Sequence, residues 1–226
     1  MNYPNLRNLI QPLLNTVEQA FHPHCAFCGL PRTHPAHLLC EACYAELPWH
    51  TRSDDAQTYS AFDYQPPISN LLLGIKFGKN LRELSTLGQL TAIGIQHQID
   101  EIPDAILPVP LHTARLRTRG FNQALELARP LAQQLGIPLL TRAVIRHKAT
   151  QAQTELDMEA RQHNLQQAFC LSAPLPHPHI AIFDDVITTG ATTQELAALL
   201  HSQGVARVDI WSCARTILTQ THAAAA

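Results

Sequence analysis

No apolar run in this sequence approaches the roughly 18 residues that cross a bilayer, so no membrane-spanning helix is expected. The first stretch, MNYPNLRNLIQPLLNTVEQAF, is interrupted by Asn, Gln and Pro and has neither an apolar core nor a small-residue cleavage site, which argues against a secretory leader. A soluble, cytoplasmic protein is the expectation. Charge is also scarce. Charged residues make up 15% against 46% hydrophobic, a balance that predicts a globular body rather than a disordered chain. A formal net charge of −2 argues against coating nucleic acid by bulk electrostatics and leaves only a local basic patch. Two phosphate-binding patterns, G-x-x-x-x-G-K-[ST] and G-x-G-x-x-G, are both missing. The 13 histidines scatter through loops, and no chemistry is assigned to them.

The most informative stretch is HIAIFDDVITTGATT, His179 to Thr193. Ile180, Ala181, Ile182 and Phe183 are apolar and uncharged, the pattern of a strand buried on both faces at the centre of a parallel sheet. After Asp184 and Asp185 come Thr188, Thr189, Gly190, Ala191 and Thr192. Leu196, Leu199 and Leu200 then recur at helical spacing. A strand, a tight loop and a helix in this order aim backbone N–H groups and threonine hydroxyls at the positive end of a helix dipole, which suits a phosphate. The two carboxylates are expected to converge on one ligand where the strand has given way to loop.

Cys25, Cys28, Cys40 and Cys43 form two C-x-x-C pairs. In a reducing compartment this spacing reads as a four-thiolate zinc site rather than two disulfides. Four cysteines fill a tetrahedron, so the zinc is expected to be structural although His24, His34 and His37 lie close by. The segment is too short and proline-rich to bury a core. Its stability would come from the metal, typically ~10–16 kcal/mol. Cys170 and Cys213 are read as small hydrophobes.

The 226 residues allow one α/β domain and a small module. A helix is expected over residues 1–20, with Leu6, Leu9, Ile10, Leu13, Leu14 and Val17 on one face. The zinc module takes residues 21–50, a polar linker follows from Thr51 to Gln57, the α/β domain occupies 58–217, and the tail at 218–226 is frayed. Within the α/β domain a short strand precedes Pro66 and Pro67, and a helix runs from Ile68 to about Gly74. Lys76 then lies in a basic turn, Ile75 to Lys79, before a helix over Leu81 to Ile99 that carries Gly88 and Gly94. Strands are expected at Ala105–Val109, Pro138–His147 and Val205–Ala214. Arg115, Arg117 and Arg119 alternate, which in an extended loop would turn all three toward one polyanion, such as pyrophosphate; a solvated basic turn is the alternative. Gly120 follows, then a helix from about Phe121 to Leu135 with Pro130 inside it.

Residues Ile180 to Thr192 resemble the phosphoribosyl-diphosphate (PRPP) signature of type I phosphoribosyltransferases. The resemblance implies that Asp184 and Asp185 hold ribose hydroxyls and that Thr188, Thr189, Gly190, Ala191 and Thr192 hold the 5′-phosphate. A four-cysteine knuckle, Lys76, R-x-R-G-F-N-Q at Arg117 to Gln123 and the PRPP signature, in that order, resemble the ComF family of competence-associated proteins. Arg146, Thr150, Gln153, Arg161, Asn164, Ala168 and Phe169 match that family's middle motif. The fold so implied is a type I phosphoribosyltransferase-like parallel sheet flanked by helices, preceded by the zinc knuckle. The resemblance implies Asp184, Asp185, Arg117 and Arg119 as catalytic residues. It also implies Lys76, Arg115, Gly120, Asn122 and Gln123 as contacts to pyrophosphate or another ligand, with Mg²⁺ accompanying PRPP. Three functions stay open: phosphoribosyl transfer, PRPP sensing without turnover, and single-stranded DNA binding or partnership with DNA-uptake proteins. A loop that closes over the reacting centre would fall at Lys148–Asp157 or near the arginines.

Overall fold

The structure is a computed structural model that describes residues 24–32, 38–51, 57–78, 81–147 and 168–217. The expected helix over 1–20, the 218–226 tail, the Lys148–Asp157 loop, and His34, His37, Lys79, Thr150, Gln153, Arg161 and Asn164 lie outside the described residues. The chain divides into two compact units, one ending at Leu47 and one beginning at Pro48.

Among its described residues the first unit has a short helix, α1 (Glu41–Ala45), and a tight turn after Cys25. The Cys25 N–H donates to Leu30 O at 2.7 Å and the Gly29 N–H to Cys25 O at 3.0 Å. Gly29 sits at φ 72°, a left-handed conformation that closes this knuckle and that glycine adopts without strain.

The second unit runs β1 (Thr58–Asp63), α2 (Ile68–Gly78), α3 (Leu81–Gln96), β2 (Ala105–Pro108), α4 (Thr113–Arg119), α5 (Gln123–Leu135), β3 (Val144–Arg146), β4 (Phe169–Leu171), β5 (His179–Ile187), α6 (Ala191–Ser202) and β6 (Arg207–Arg215). The main sheet has the order β1-β6-β5-β2 and every pairing in it is parallel, while β3 and β4 form a separate antiparallel pair. As the apolar run predicts, His179 to Phe183 of β5 are buried. Ile180 and Ile182 pack with Leu196 and Leu200 of α6. Helices α3 and α5 lie against each other, with α3 on β1 and β6 and α5 on β5 and β2. Helices thus flank the sheet on both faces. Among the described residues no helix is long and apolar enough to cross a membrane.

β1 is buried along nearly all its length although it is an edge strand. Its free edge is covered by residues 48–50: the His50 N–H donates to Ala61 O at 3.0 Å, the Asp63 N–H to Pro48 O at 2.8 Å, and Trp49 packs on Phe62 with ring centroids 4.7 Å apart. Such cover blunts an edge that would otherwise template pairing with another chain.

Four expectations need correction. α2 continues to Gly78, so Lys76 sits in its last helical turn and not in a basic loop; buried Ile75 extends the stripe of Ile68 and Leu72 by one more turn. Arg115, Arg117 and Arg119 lie in α4, not in an extended loop. His112 Nδ1 accepts from the Ala114 N–H at 3.2 Å at one end, and Gly120 at φ 84° returns its N–H to Leu116 O at the other. The stretch Pro138–His147 is not one strand of the main sheet. Leu139 bridges in parallel to Ile106, the chain turns, and Val144–Arg146 pairs with β4 instead. Finally, β5 does not end before the aspartates but remains paired with β6 through Ile187.

The two glycines of α3 mark its close approaches. A Cβ on Gly88 would lie 3.1 Å from Pro130 Cγ of α5, and one on Gly94 would lie 2.9 Å from Ala61 Cβ and 3.0 Å from Trp49 Cζ3. Gly74 of α2 has open space instead, with Glu83 Oε2 at 4.0 Å. Gly74→Ala is therefore expected to stabilise by about 0.5–1 kcal/mol through helix propensity. In Gly94→Ala overpacking of ~1–3 kcal/mol should outweigh the same gain. Thermal melting of both variants checks this: the midpoints should move in opposite directions.

Candidate functional site

The site begins where two paired strands part. The Val109 N–H donates to Phe183 O at 2.8 Å, and beyond it β2 and β5 exchange no further hydrogen bond among the described residues. Side chains take the places of the next partners: Asn122 Nδ2 donates to Val109 O at 3.0 Å, and the Asp185 N–H donates to Asp184 Oδ1 at 2.9 Å. The chain leaves β2 toward α5 on one face and leaves β5 toward α6 on the other. Strands whose connections go to opposite faces open a crevice at their carboxyl ends, the general ligand position of open parallel sheets.

Because β5 stays a strand, Asp184 and Asp185 lie on opposite faces, Asp184 with Ile182 toward α6 and Asp185 with Phe183 toward α3 and α5. Each meets different cations. Burial lowers the pKa of the half-buried Arg119 guanidinium, while Asp185 nearby opposes that shift and Arg115 adds to it. Burial also lowers the pKa of Arg146, whose guanidinium carbon stands 5.3 Å from the centroid of the Phe169 ring; Arg115 adds to the shift, and Asp184 and Glu195 oppose it. The carboxylates remain close enough to couple. Burial first, and then the charge of Asp185, push the Asp184 carboxyl well above the usual carboxylate range.

Gly190, at φ 76° and ψ 0°, caps α6 without a side-chain hydrogen bond. Its carbonyl accepts from Thr193 Oγ1 at 2.8 Å, and Thr188 and Thr189 are exposed. Thr189 Oγ1 accepts from the first of the helix N–H groups, that of Ala191, at a long 3.5 Å, and Gly190, having no side chain, caps none of the rest.

In the first unit, the sulfurs of Cys25, Cys28, Cys40 and Cys43 all lie within 4.8 Å of one another, with Cys28 and Cys40 at 3.7 Å. A tetrahedral metal with ~2.3 Å bonds to sulfur sets its ligands about 3.8 Å apart, so the cluster has the dimensions of a metal site. Desolvation alone would raise the Cys25 thiol, yet backbone N–H groups of Cys28, Cys40 and Phe27 bring it down to about 6. Burial and the neighbouring thiols push Cys43 up. For all four to ionise together, a cation among them would have to neutralise the charge.

No family model matches the chain. It is 37% identical over 198 residues to the DNA utilization protein YhgH of Escherichia coli K12, covering 85% of this chain and 84% of that one. It is 35% identical over 201 residues to Competence protein F of Haemophilus influenzae, covering 85% of each. The chain belongs to the ComF family. A more distant relative is Competence protein ComFC of Bacillus subtilis, 24% identical over 190 residues and covering 80% of this chain and 73% of that one. Among solved structures, adenine phosphoribosyltransferase from Leishmania tarentolae matches with a TM-score of 0.42 and 12% identity over 73% of this chain and 94% of that one, a score too low to decide anything.

The motifs that carried the ComF resemblance divide sharply in space. Arg115 and Arg119 are one helical turn apart on the half-buried side of α4, whereas Arg117, about 200° round the helix from Arg115, is exposed. Gly120 ends α4, and Asn122 closes the split ladder. Gln123 is buried, its Oε1 accepting from Arg119 Nη1 at 2.6 Å. Lys76 is exposed in the last turn of α2. The electrostatic influence of Asp184 and Glu195 on Arg146 has no counterpart in sequence spacing, because β3, β5 and α6 come together only through the fold.

The raised Asp184 carboxyl fixes a pH dependence. Above the ordinary carboxylate pKa of about 4 the unfolded chain loses this proton while the folded chain keeps it, so stability falls as pH rises toward the raised value. Asp184→Asn retains an Oδ1 acceptor for the Asp185 N–H and removes the cost. The variant should melt higher than the parent at neutral pH and show a shallower decline from pH 4 upward. A melting series across pH checks this, and a lower midpoint at neutral pH contradicts it.

Proposed function

We propose that this ComF-family protein binds PRPP in the crevice between β2 and β5, on a phosphoribosyltransferase-like domain. The observation that carries the proposal is the juxtaposition, at the carboxyl end of a parallel sheet, of two neighbouring carboxylates, two half-buried arginines and a helix N-terminus whose N-cap residue is a glycine. The α6 N-terminus and Thr188–Thr192 would take the 5′-phosphate. Asp184 and Asp185 would accept hydrogen bonds from the ribose hydroxyls, and Arg115 and Arg119 would face the pyrophosphate. Both carboxylates suit a hard cation, and Mg²⁺ bound with PRPP would supply neutralisation of the pyrophosphate charge. If an acceptor is present, its attack at C1 breaks the bond to the pyrophosphate oxygen and forms the new glycosidic bond. Arg115 and Arg119 then stabilise the departing anion, while the two carboxylates favour the positive charge developing on the sugar.

The printed names of the relatives, DNA utilization and competence, support a role in the uptake or use of DNA, with single-stranded DNA or uptake proteins as partners. Pyrophosphate release that requires an added acceptor supports transfer; PRPP binding without release supports a sensor. The four thiolates of the first unit are assigned to a structural Zn²⁺, whose tetrahedral preference and affinity for sulfur fit their spacing.

Combining Asp184→Asn with Asp185→Asn should keep or raise the melting temperature and nearly abolish PRPP binding, because charge-assisted bonds of roughly 1.5–3 kcal/mol each are lost. Titration calorimetry with PRPP and Mg²⁺ reads the outcome; affinity equal to the parent's overturns the proposal. Protein purified without chelator should carry about one zinc per chain, and Cys25→Ser or Cys40→Ser should lower its folding yield. Metal analysis that finds no zinc removes that assignment.

A further inference from the structure

Gln123 opens α5 and is only 2% exposed, an uncommon place for a side chain with both a donor and an acceptor to satisfy. Its partners fix which end faces which. Arg119 can only donate, and its Nη1 lies 2.6 Å from Gln123 Oε1; the Leu72 carbonyl can only accept, and it lies 3.4 Å from Gln123 Nε2. The first bond spans Gly120, where the chain leaves helical geometry at φ 84° between α4 and α5. The second reaches α2 one turn before Lys76. A single buried amide therefore ties the Arg119 guanidinium, which feels the charge of Asp185, to the helix that carries the lysine of the same motif set.

We infer that Gln123 is a positioning residue: it touches no ligand itself, and it holds the Arg119 guanidinium on the crevice side, in register with the α2 arm that bears Lys76. Each end of its amide has a protein partner and its surface is covered, and that burial keeps it from touching a ligand in the crevice. Its effect passes through Arg119. A guanidinium held by one Nη1 bond keeps its remaining N–H donors in a fixed fork for an anion. This inference rests on the PRPP assignment for its consequence in binding, though not for the tether itself.

The test is a double-mutant cycle in the full chain with Gln123→Met, which keeps length and volume, and Arg119→Met. PRPP affinity is measured by calorimetry with Mg²⁺. Gln123→Met should weaken binding about tenfold to a hundredfold, the range for losing one well-placed charge-assisted hydrogen bond. The double variant should bind no worse than Arg119→Met alone. Unchanged affinity in Gln123→Met, or losses that multiply in the double variant, overturns the inference. A ligand-free readout separates the tether from the PRPP assignment: ¹H–¹⁵N spectra of the guanidinium should show distinct Arg119 Nη signals in the parent and averaged ones in Gln123→Met. Gln123→Glu, which keeps the Oε1 acceptor, should retain the distinct signals, and Gln123→Asn, one methylene too short, should lose them if the Met variant does not accumulate. Identical Arg119 spectra in the parent and in Gln123→Met or Gln123→Asn overturn the tether. Absence of PRPP binding by the parent, with the spectra as expected, overturns the PRPP assignment alone.

Discussion

The site depends on a ladder that stops. β2 and β5 pair for four residues, and then the chain after Pro108 bends away while β5 continues along β6. Backbone groups freed in a protein interior must find other partners or lose about a hydrogen bond's worth of stability each. Two local side chains meet that demand: Asn122 on one strand end and Asp184 on the other. The crevice can therefore open without leaving orphaned backbone, and the residues that keep it open come from the same two sequence motifs that line it.

Electrostatics then make the crevice uneasy when empty. The charge of Asp185 adds to burial in raising the Asp184 carboxyl, and Arg115 disfavours the charges of both Arg119 and Arg146. A compact set of like charges of both signs, partly removed from water, costs stability that a ligand with complementary phosphates and hydroxyls would return. The strain is confined to the carboxyl end of the sheet; the strand centres, Ile106 and Leu107 of β2 and Ile180 to Phe183 of β5, are wholly apolar and buried.

Much of this was legible in the residues. An apolar tetrad with no charge has few fates other than a central parallel strand, and two C-x-x-C pairs constrain four sulfurs whatever lies between them. R-x-R-x-R was not legible in the same way, because alternation fits an extended chain and a short capped helix equally; His112 and Gly120, the residues that decide, are individually common. The adjacent aspartates misled for a related reason. Two carboxylates in a row suggest a loop, yet one free edge is enough to accommodate them in a strand, since Asp184 folds back on its neighbour's N–H. Arg146 carries no local signal for the carboxylates whose charge it feels, because Asp184 and Glu195 come from much later in the chain.

The order β1-β6-β5-β2 also bears on how the protein is made. Its outer strands are the first two of the main sheet to leave the ribosome, and its inner strands are the last two. β1 and β2 never touch each other in the sheet, so neither has its neighbour in the main sheet until β5 and β6 have been synthesised. For most of translation the nascent domain holds apolar strands such as Ala105–Pro108 without their main-sheet neighbours, a state that favours chaperone capture and punishes stalled or truncated chains. The crevice is thus a late feature of synthesis: it exists only once the C-terminal strands have slid between the two that were waiting.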